Sequence, residues 1–351
     1  MKQDEIAGAV APVEAFINDV IASAESDAGT SCSDADLPLY LVIRYHLGWV
    51  DQTFQPVSAK TGKRIRPLVC LLCAGAAGGS ASNAIPVAAS IELLHNFTLM
   101  HDDIQDRSEF RHGRKTIWAH WGEAQAINVG DATFALSQLA LLRLGERHDD
   151  QMIVREIATE FNKVTLRIVE GQVLDLGFEH RWDIGTDDYL RMVTGKTAAI
   201  VGFAAWAGAL VATGDRRLAD QYREFGLKLG LGFQVRDDYL GIWGNEADTG
   251  KPAGDDIRTR KKSIPVVMLL DRVSAREADE LRHLYTSGEL SPAAVDRVQE
   301  LLRGYEIERD VHRFAERYHD EALELLTQIA SLTPERNALE QLAERLVERT
   351  S

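Results

Sequence analysis

Three aspartates stand close together at the end of an apolar run in the amino-acid sequence. The run "IELLHNFTLMH" (91–101) is followed at once by Asp102 and Asp103, and Asp106 comes one turn later. On a helix, residues four apart differ by only about 40° in direction, so Asp102 and Asp106 share a face with Asp103 beside them. Carboxylates at this spacing repel one another unless a cation lies between them. The cluster is therefore either a solvated acidic turn or a site for divalent cations.

A second aspartate pair lies near the end of another apolar segment, "GLGFQVRDDYLG" (230–241). Here Asp237 and Asp238 are followed one turn later by Gly241, so the pair has one carboxylate fewer. If both clusters end helices, they could face each other across a cleft. The Asp-Asp pairs at 149–150 and 187–188 stand in polar connectors, and we interpret them as capping or solvated residues.

Basic residues decide between the two interpretations of the aspartates. Carboxylates, Mg2+ and Lys or Arg side chains together are the groups with which proteins hold a diphosphate, because the metal bridges carboxylate and phosphate oxygens. Such bases recur in short motifs, at Lys63, Arg66, Arg111, Arg114, Lys196, Lys251, Lys261 and Lys262. Arg64 is expected to be a solvated or ion-paired surface residue. A P-loop is excluded, since the motif that would end at Gly195-Lys196-Thr197 needs glycine at position 190, which is leucine.

Composition narrows the class of protein. The 351 residues are 45% hydrophobic and 26% charged, with a formal charge of −15, which predicts a soluble globular protein that nucleic acids and anionic membranes repel. The N-terminus lacks the bases and the long apolar core of a signal peptide, and the apolar stretch at 198–212 is short for a bilayer. We therefore expect a cytoplasmic protein without a stable membrane anchor. Cys70 and Cys73 lie in an apolar run and are expected in the core.

The chain predicts an all-α fold. Apolar residues recur at steps of three and four, strand patterns are nearly absent, and glycines and prolines separate the helical segments. No linker or repeat divides the sequence, so we expect a single multi-helix domain over residues 1–351. Two central segments rich in glycine and alanine either pack closely against neighbours or line a cavity.

The sequence resembles the trans-isoprenyl diphosphate synthase (polyprenyl synthase) family, most closely its short-chain geranylgeranyl and farnesyl members, over roughly Tyr40 to Leu323. Seven motifs occur in the order of the family: "GKRIRP" (62–67), "ELLHNFTLMHDDIQD" (92–106), "RHG" (111–113), "EGQVLDL" (170–176), "GKTA" (195–198), "FQVRDDYLG" (233–241) and "GKPAGDDIRTRKKSIP" (250–265). The resemblance implies an isoprenoid synthase fold, with helices around a deep central cavity, an N-terminal helix before the core and C-terminal helices after it. It also implies a homodimer.

The resemblance implies a transferase of isoprenoid biosynthesis. Such an enzyme uses Mg2+, with Mn2+ as a substitute, and condenses isopentenyl diphosphate with an allylic diphosphate. Because water would quench the allylic cation, the reaction needs a closed apolar pocket.

Each site residue is assigned by its place in a family motif. The magnesium ligands would be Asp102, Asp106 and Asp237, with Asp103 and Asp238 as second contributors. Isopentenyl diphosphate would be held by Lys63, Arg66 and His95, with His112 at a position where the family usually has arginine. The allylic diphosphate would be held by Arg111, Lys196, Lys261 and Lys251. Thr197 and Gln234 would lie near the developing allylic cation. Arg111, Lys196, Thr197 and Gln234 are thus the expected catalytic residues.

Two positions depart from the family pattern. His112 is mostly uncharged at neutral pH, unlike an arginine. Gly241 replaces the usual last aspartate of the second cluster. Both leave open an unusual substrate or a slower enzyme.

Product length is expected to depend on the residues that precede Asp102. Thr98 and Phe97, four and five positions upstream, would lie about 6–7.5 Å deeper along the helix. Phe97 is bulky enough to form the floor of the product pocket, and an aromatic residue at this position resembles the geranylgeranyl diphosphate synthases of the family. A helical wheel, however, places Thr98 more nearly in line with Asp102 than Phe97, so the floor could also lie deeper. Geranylgeranyl diphosphate is the expected product, with farnesyl diphosphate or a longer chain as rivals.

Two other functions on the same fold remain open. A class I terpene cyclase would explain the aspartates but leaves "GKRIRP" and His95 without a role. A non-catalytic subunit that binds prenyl diphosphate would be expected to lose the first aspartate cluster, which is intact here.

Overall fold

The computed structural model describes residues 3–29, 37–57, 62, 64–244, 253–286 and 290–347. Two residues with an expected role, Lys63 and Lys251, lie outside the described residues.

Helices form nearly all of the regular structure in the described ranges, which confirms the all-α fold class. The α-helices are α1 Gln3–Asp27, α2 Leu39–His46, α3 Ile65–Ala76, α4 Ile85–Gln105, α5 Ile117–Trp121, α6 Glu123–Leu142, α7 Gln151–Phe178, α8 Thr186–Val193, α9 Ala199–Thr213, α10 Arg216–Trp243, α11 Asp255–Arg258, α12 Ile264–Leu270, α13 Ala275–Thr286, α14 Pro292–Gly304, α15 Ile307–Ile329 and α16 Pro334–Val347. Short 3-10 helices cover Ala81–Ala84 and Arg143–Glu146, and a π-helical turn covers Thr194–Ala198.

A small β-hairpin follows α4, and sequence patterns gave no sign of it. Strand β1 (Phe110–Arg111) pairs antiparallel with β2 (Arg114–Lys115). The two residues between them, His112 and Gly113, both have left-handed backbone angles, with φ of 51° and 77°. Two successive positive φ values are typical of the tight turn that suits the twist of a hairpin, and histidine tolerates this region better than most residues. The turn therefore fixes where Arg111 and His112 lie.

Arg114 anchors this hairpin to the chain around α2. Its Nη1 donates to the carbonyl of Tyr45 at 2.9 Å, and its Nη2 donates to the carbonyl of Val50 at 2.6 Å. The guanidinium also lies 4.1 Å from the ring centroid of Tyr45, at cation–π distance. Arg114 is thus a structural residue, which leaves Arg111 as the hairpin arginine that contacts the aspartates.

The chain divides into two compact units. Unit 1 comprises Met1–Thr159 and Ala207–Ala219, and unit 2 comprises Glu160–Trp206 and Asp220–Ser351. The single domain over residues 1–351, its central cavity and the face-to-face arrangement of the two aspartate clusters stay predictions.

In unit 1, helix α4 packs against α1, α3 and α6. Cys70 and Cys73 of α3 are fully buried, as expected. The expectation for Arg64 as a surface residue is wrong, because it is only 9% exposed. Its guanidinium bonds to the buried carboxylate of Glu92, to Glu14 at 3.2 Å and to the carbonyl of Leu47 at 3.2 Å. A buried arginine persists only with such partners, so Arg64 ties α1, α4 and the segment before α3 together.

In unit 2, small residues in α9 and α10 permit close helix packing. A Cβ on Gly226 would lie 2.6 Å from the carbonyl oxygen of Val201, and one on Gly230 would lie 2.8 Å from Cα of Ala198. Only glycine allows backbones to approach this closely. Of the two explanations for the glycine-rich segments, these positions support close packing.

The Asp-Asp pairs at 149–150 and 187–188 cap helices. Asp150 accepts the backbone N–H of Met152 at 2.8 Å, and Asp188 accepts that of Gly185 at 3.3 Å. Both bonds satisfy N–H groups near the beginning of a helix, where the helix itself offers no acceptor. The expectation for these pairs is confirmed.

Two apolar stretches in the described residues, Glu5–Asp27 and Thr186–Thr213, could cross a membrane by length and composition alone. In the second, 83% of the apolar window is buried inside the protein. Core helices of soluble proteins and signal sequences pass the same test, so this is weak evidence for a membrane span.

Gly241 of α10 lies directly beneath a carboxylate of α11. A Cβ at this position would be 2.5 Å from Oδ2 of Asp256 and 2.7 Å from its Oδ1, closer than real Cβ contacts come. Asp256 is itself buried, and burial, against the opposing charge of Lys261, raises its pKa to about 6. The space into which a side chain at position 241 would extend is thus filled by the side chain of Asp256.

We therefore expect the substitution Gly241→Asp, although it restores the family residue, to destabilise the protein. The new side chain would collide with Asp256 and add a like charge, and overpacking of this kind costs about 1–3 kcal/mol. The free energy of unfolding, measured by urea denaturation, should fall, and adding Asp256→Ala should recover part of the loss. Gly177→Ala is the matched control, since Gly177 has open space around its Cβ position. Equal stability of Gly241→Asp and wild type would contradict this packing.

Candidate active site

The first aspartate cluster stands at the C-terminal end of α4, as the sequence predicted. Asp106 caps the helix, and its backbone N–H donates to the carbonyl of Asp102 at 2.8 Å. Asp102 is partly buried and Asp106 is exposed. The C-terminal end of a helix carries partial negative charge, which adds to that of the carboxylates. The local potential therefore favours a bound cation.

Asp103 differs from its neighbours because Arg111 holds it. The carboxylate is only 2% exposed. Arg111 donates from Nε to Oδ1 and Oδ2 at 3.0 and 3.1 Å, and from Nη2 to Oδ1 at 2.8 Å. Burial raises the pKa of Asp103, while the hydrogen bonds and charge of Arg111 oppose that rise. This geometry favours a positioning role for Asp103, and its expected role as a second metal ligand stays a prediction.

Arg66 and His95, both expected to hold isopentenyl diphosphate, contact each other. Nη1 of Arg66 lies 2.9 Å from Nε2 of His95. Burial lowers the pKa of His95 well below its ordinary value, and the charges of Arg66 and Arg111 lower it further. His95 is therefore neutral at physiological pH, and the positive charge at this point comes from arginine.

Sequence reasoning did not single out His46 of unit 1, whose pKa responds to the charges of the same arginines. It is the last residue of α2 and is partly buried. Burial lowers its pKa to about 3, and the charges of Arg111, Arg64, Arg114 and His112 add to the shift. A lone histidine at the end of a short helix carries no motif, so only its position in space connects it to the site.

In unit 2, a π-helical turn carries the "GKT" motif. Wider turns of this kind are frequent at functional sites. Lys196 in this turn forms an ion pair with Asp175 of α7, with Nζ 2.5 Å from Oδ2. The backbones come close enough that a Cβ on Gly171 would lie 2.3 Å from the amide nitrogen of Lys196. This packing and the ion pair fix the position of Lys196.

A chain of hydrogen bonds connects the next residue of this turn to the second aspartate pair. Thr197 donates from Oγ1 to Oε1 of Gln234 at 2.9 Å, and Nε2 of Gln234 donates to Oδ1 of Asp238 at 2.9 Å. Asp238 also accepts the hydroxyl of Tyr189 at 2.7 Å and the backbone N–H of Ile264 at 3.1 Å. The buried carboxylate of Asp238 thus already has three protein donors. This favours a positioning role, while Asp237, its exposed neighbour, is better placed for a ligand.

Lys261 and Lys262 point to different partners. Nζ of Lys261 lies 3.7 Å from Oδ1 of Asp238. Burial alone would lower the pKa of Lys261, but the charges of Asp238, Asp256, Asp175 and Asp237 raise it above its ordinary value. Lys262 instead donates to the carbonyls of Phe178, Glu179 and Arg181. Lys261 therefore stays charged beside the aspartates. Lys262 instead satisfies backbone carbonyls at and just after the C-terminal end of α7.

The two candidates for the floor of the product pocket also have distinct surroundings. The ring of Phe97 packs against those of Phe134 on α6 and His101 on α4, with centroids 5.2 and 4.8 Å away. Thr98 turns its hydroxyl back to the carbonyl of His95 at 2.8 Å. Phe97 is thus part of an aromatic group, whereas Thr98 is bound to its own helix.

The expected residues that the structure describes fall into two sets. Unit 1 holds Arg66, His95, Asp102, Asp103, Asp106, Arg111 and His112, and unit 2 holds Lys196, Thr197, Gln234, Asp237, Asp238 and Lys261. Across the described part of the chain, no group of three or more His, Cys, Asp or Glu side chains is arranged to hold a metal ion by itself.

Comparison with known proteins identifies relatives of this chain. The family model described as "Polyprenyl synthetase" matches residues 48–302, which is more than half of the sequence. A (2E,6E)-farnesyl diphosphate synthase from Mycobacterium tuberculosis is 43% identical over 225 residues, which cover 64% of this chain and 61% of that protein. This chain therefore spans less than two thirds of the length of that relative. A geranylgeranyl diphosphate synthase from the same species is 39% identical over 267 residues, which cover 76% of this chain and 75% of that protein.

Comparison with solved structures points to the same family as these relatives. A polyprenyl synthetase from Streptomyces coelicolor A3(2) superposes with a TM-score of 0.86 at 30% identity, over 98% of this chain and 99% of that one. A geranylgeranyl pyrophosphate synthetase from Pyrococcus horikoshii Ot3 gives a TM-score of 0.85 at 28% identity, over 99% and 98%. The fold is the all-α isoprenoid synthase fold. The resemblance seen in the motifs is thereby confirmed, and the chain belongs to the polyprenyl synthetase family.

Proposed function

We propose that this protein is a Mg2+-dependent prenyltransferase that condenses isopentenyl diphosphate with an allylic diphosphate to form a short-chain all-trans prenyl diphosphate. The observation that supports this proposal most directly is that the aspartates at the end of α4 differ in their partners and in their exposure. Arg111 binds Asp103 through three hydrogen bonds, while Asp102 and Asp106 lie one turn apart on the same helix. Buried charge is balanced within the protein, and the partly exposed carboxylates suit an added cation.

The donor set fits magnesium held together with substrate. Mg2+ in enzymes of phosphate chemistry is usually bound by one or two carboxylates, with phosphate oxygens and water completing the shell. Asp102 and Asp106 could supply two such carboxylates, and Asp237 could supply one in unit 2. A preformed group of three protein ligands is not required for this mode of binding. When bound, the metal would neutralise charge on the leaving diphosphate.

The residues of the chain would support the same step. Lys196 and Lys261, each held beside aspartates, would bind the diphosphate and stabilise the charge that builds as it leaves. Arg111 and Lys251 have the same expected role. Thr197 and Gln234 place polar oxygens in a fixed arrangement, which would stabilise a developing allylic cation. Isopentenyl diphosphate would be bound by Arg66, His95, His112 and Lys63, and its double bond would attack the cation before proton loss restores neutrality.

Product analysis tests this proposal. The purified protein is incubated with isopentenyl diphosphate and, separately, dimethylallyl, geranyl or farnesyl diphosphate, with Mg2+, with Mn2+ or with chelator. We expect elongated prenyl diphosphates with either metal and none with chelator. A cyclic hydrocarbon released from a primer without isopentenyl diphosphate would indicate a cyclase instead, and no conversion of any primer would indicate a non-catalytic subunit.

We further propose geranylgeranyl diphosphate as the product. The bulky ring of Phe97, five residues before Asp102, is supported on two sides by Phe134 and His101, so it could stop a growing chain. Relatives with either farnesyl or geranylgeranyl diphosphate synthase in their names are similar to this chain at comparable identity. The local packing of Phe97 is therefore the better guide to length.

Replacing Phe97 with alanine should lengthen the product by one or more five-carbon units, because the floor is removed. Phe134→Ala should act in the same direction but less strongly, since it only loosens the support of Phe97. Thr98→Ala is the control, and its hydroxyl bonds only to its own helix in the described structure. Chromatography of the hydrolysed products gives chain length directly. Longer products from Thr98→Ala with none from Phe97→Ala would move the floor to Thr98.

We also propose that the protein is a cytoplasmic homodimer. A stripe of exposed apolar residues runs along α7 in unit 2, with Leu166, Val169 and Val173 exposed by 63%, 47% and 65%. Their spacing of three and four places them on one helix face. Such a patch on a soluble protein is typical of an interaction surface, and a second copy is the occupant that the family resemblance favours.

Charges introduced into this stripe should separate the subunits. The double substitution Val169→Glu and Val173→Glu would bury charge at the interface, so light scattering after gel filtration should show the mass of one chain rather than two. Leu332→Glu is the matched control, because Leu332 is 81% exposed and lies outside α7. A dimer that survives the double substitution would exclude this stripe as the interface.

A further inference from the structure

Tyr189 of α8 is a buried residue of unit 2 that none of the sequence motifs includes. It is only 1% exposed, and its hydroxyl donates to Oδ2 of Asp238 at 2.7 Å. Burial, together with the charge and the hydrogen bond of Asp238, raises the pKa of Tyr189 well above its ordinary value, so the hydroxyl keeps its proton at physiological pH. Tyr189 is therefore a permanent hydrogen-bond donor to the buried aspartate of the second pair.

Both carboxylate oxygens of Asp238 have donors from the protein. Oδ2 accepts the hydroxyl of Tyr189 and, at 3.1 Å, the backbone N–H of Ile264. Oδ1 accepts Nε2 of Gln234 at 2.9 Å and lies 3.7 Å from Nζ of Lys261. A carboxylate only accepts hydrogen bonds, so each of these partners must turn a proton toward it. Because Tyr189 and Ile264 hold one oxygen, the other oxygen is held in place for Gln234.

The acceptor character of Asp238 determines which way the side-chain amide of Gln234 faces. An amide has one end that donates and one end that accepts. Because Nε2 must face Asp238, Oε1 faces Thr197, and the hydroxyl of Thr197 donates to it at 2.9 Å. In the reverse orientation, the amide oxygen would face the carboxylate and the two would repel each other. The chain of hydrogen bonds from Tyr189 to Thr197 therefore has only one possible direction.

This direction determines what Thr197 can offer to a ligand. A hydroxyl has one proton and two lone pairs. Since the proton of Thr197 is used in the bond to Gln234, only lone pairs remain for other partners. Lone pairs attract positive charge, whereas a hydroxyl proton would repel it. The arrangement suits a developing allylic cation, because dipoles that are already oriented need no reorganisation during the reaction.

We propose that Tyr189 is a positioning residue for the condensation, and that it acts through Asp238 and Gln234 to keep Thr197 an acceptor whose lone pairs stabilise the allylic cation. The inference rests on the proposed function. Tyr189 itself would touch neither substrate. Removing its hydroxyl should therefore slow the chemical step and leave the binding of both diphosphates unchanged, since other residues hold them.

Kinetics of the variant Tyr189→Phe test this role, because the substitution removes the hydroxyl and keeps the ring. The single-turnover rate of condensation should fall by about tenfold, which is the scale of one hydrogen bond to a charged group. The KM values for isopentenyl diphosphate and for the allylic primer should stay within about twofold of those of wild type. Tyr285→Phe is the matched control, because Tyr285 is also buried in unit 2 and its hydroxyl has no hydrogen-bond partner among the described residues. This control should keep the wild-type rate and both KM values.

A double-mutant cycle measures whether Tyr189 acts through Thr197. Thr197→Val removes the acceptor and keeps the shape of the side chain. In the Thr197→Val background, adding Tyr189→Phe should slow the single turnover by less than about twofold, because the end of the chain is already lost. Gln234→Met breaks the same chain in its middle without changing Tyr189, and it should also slow the single turnover. Circular dichroism and thermal unfolding measure whether each variant is folded at the assay temperature.

The outcomes separate this inference from the proposed function. No condensation by wild type would overturn the proposed function and the inference with it. Condensation at the wild-type rate by Tyr189→Phe or by Gln234→Met, or equal slowing by Tyr189→Phe with and without Thr197, would overturn the inference alone. A Tyr189→Phe protein that does not fold would make Tyr189 a structural residue and overturn the inference as well. Slowing that disappears in the Thr197→Val background, with Tyr285→Phe unchanged, supports the proposal.

Discussion

The concentration of negative charge at the C-terminal end of α4 is the constraint on which the arrangement of unit 1 depends. Three aspartates stand where the helix itself presents partial negative charge. Arg111 balances the buried one, and its position is set by a hairpin whose turn needs two left-handed residues. The hairpin is in turn anchored by Arg114 to the chain around α2. The buried acid at Asp103 therefore accounts for the position of Arg111 and, through the hairpin, for the anchoring role of Arg114.

Unit 2 also contains a buried aspartate that is held by protein hydrogen bonds. Asp238 is the buried acid there, and it accepts hydrogen bonds from Tyr189, Gln234 and the backbone of Ile264. In both units, one aspartate of the pair is held inside the protein and its neighbour is more exposed. The held aspartates bond to Arg111 in unit 1 and to Gln234 and Tyr189 in unit 2, and we propose that the exposed ones bind a cation.

The sequence predicted those features that depend on local pattern or on family motifs. Helical periodicity gave the all-α class, the end of α4 at the aspartates, and the caps at Asp150 and Asp188. Features that depend on contacts between distant residues were not predictable in this way. Arg64 is buried because Glu92, 28 residues along the chain, meets it, and Gly241 lies beneath Asp256. The charges of Arg111, Arg64 and Arg114 reach His46 only in the folded chain, and the hairpin is too short to produce a strand pattern.

The central claim is that the two more exposed acids at the end of α4, Asp102 and Asp106, serve a bound cation rather than the fold. The most direct measurement compares turnover and thermal stability of Asp102→Asn with those of wild type and of Asp149→Asn, a substitution in a polar connector. We expect Asp102→Asn to keep a melting temperature close to that of wild type while its turnover with isopentenyl diphosphate, an allylic primer and Mg2+ falls by about 10²–10³-fold, as for loss of one group that stabilises a transition state. Turnover equal to that of wild type, or a loss of activity that only follows a loss of folded protein, would contradict the claim.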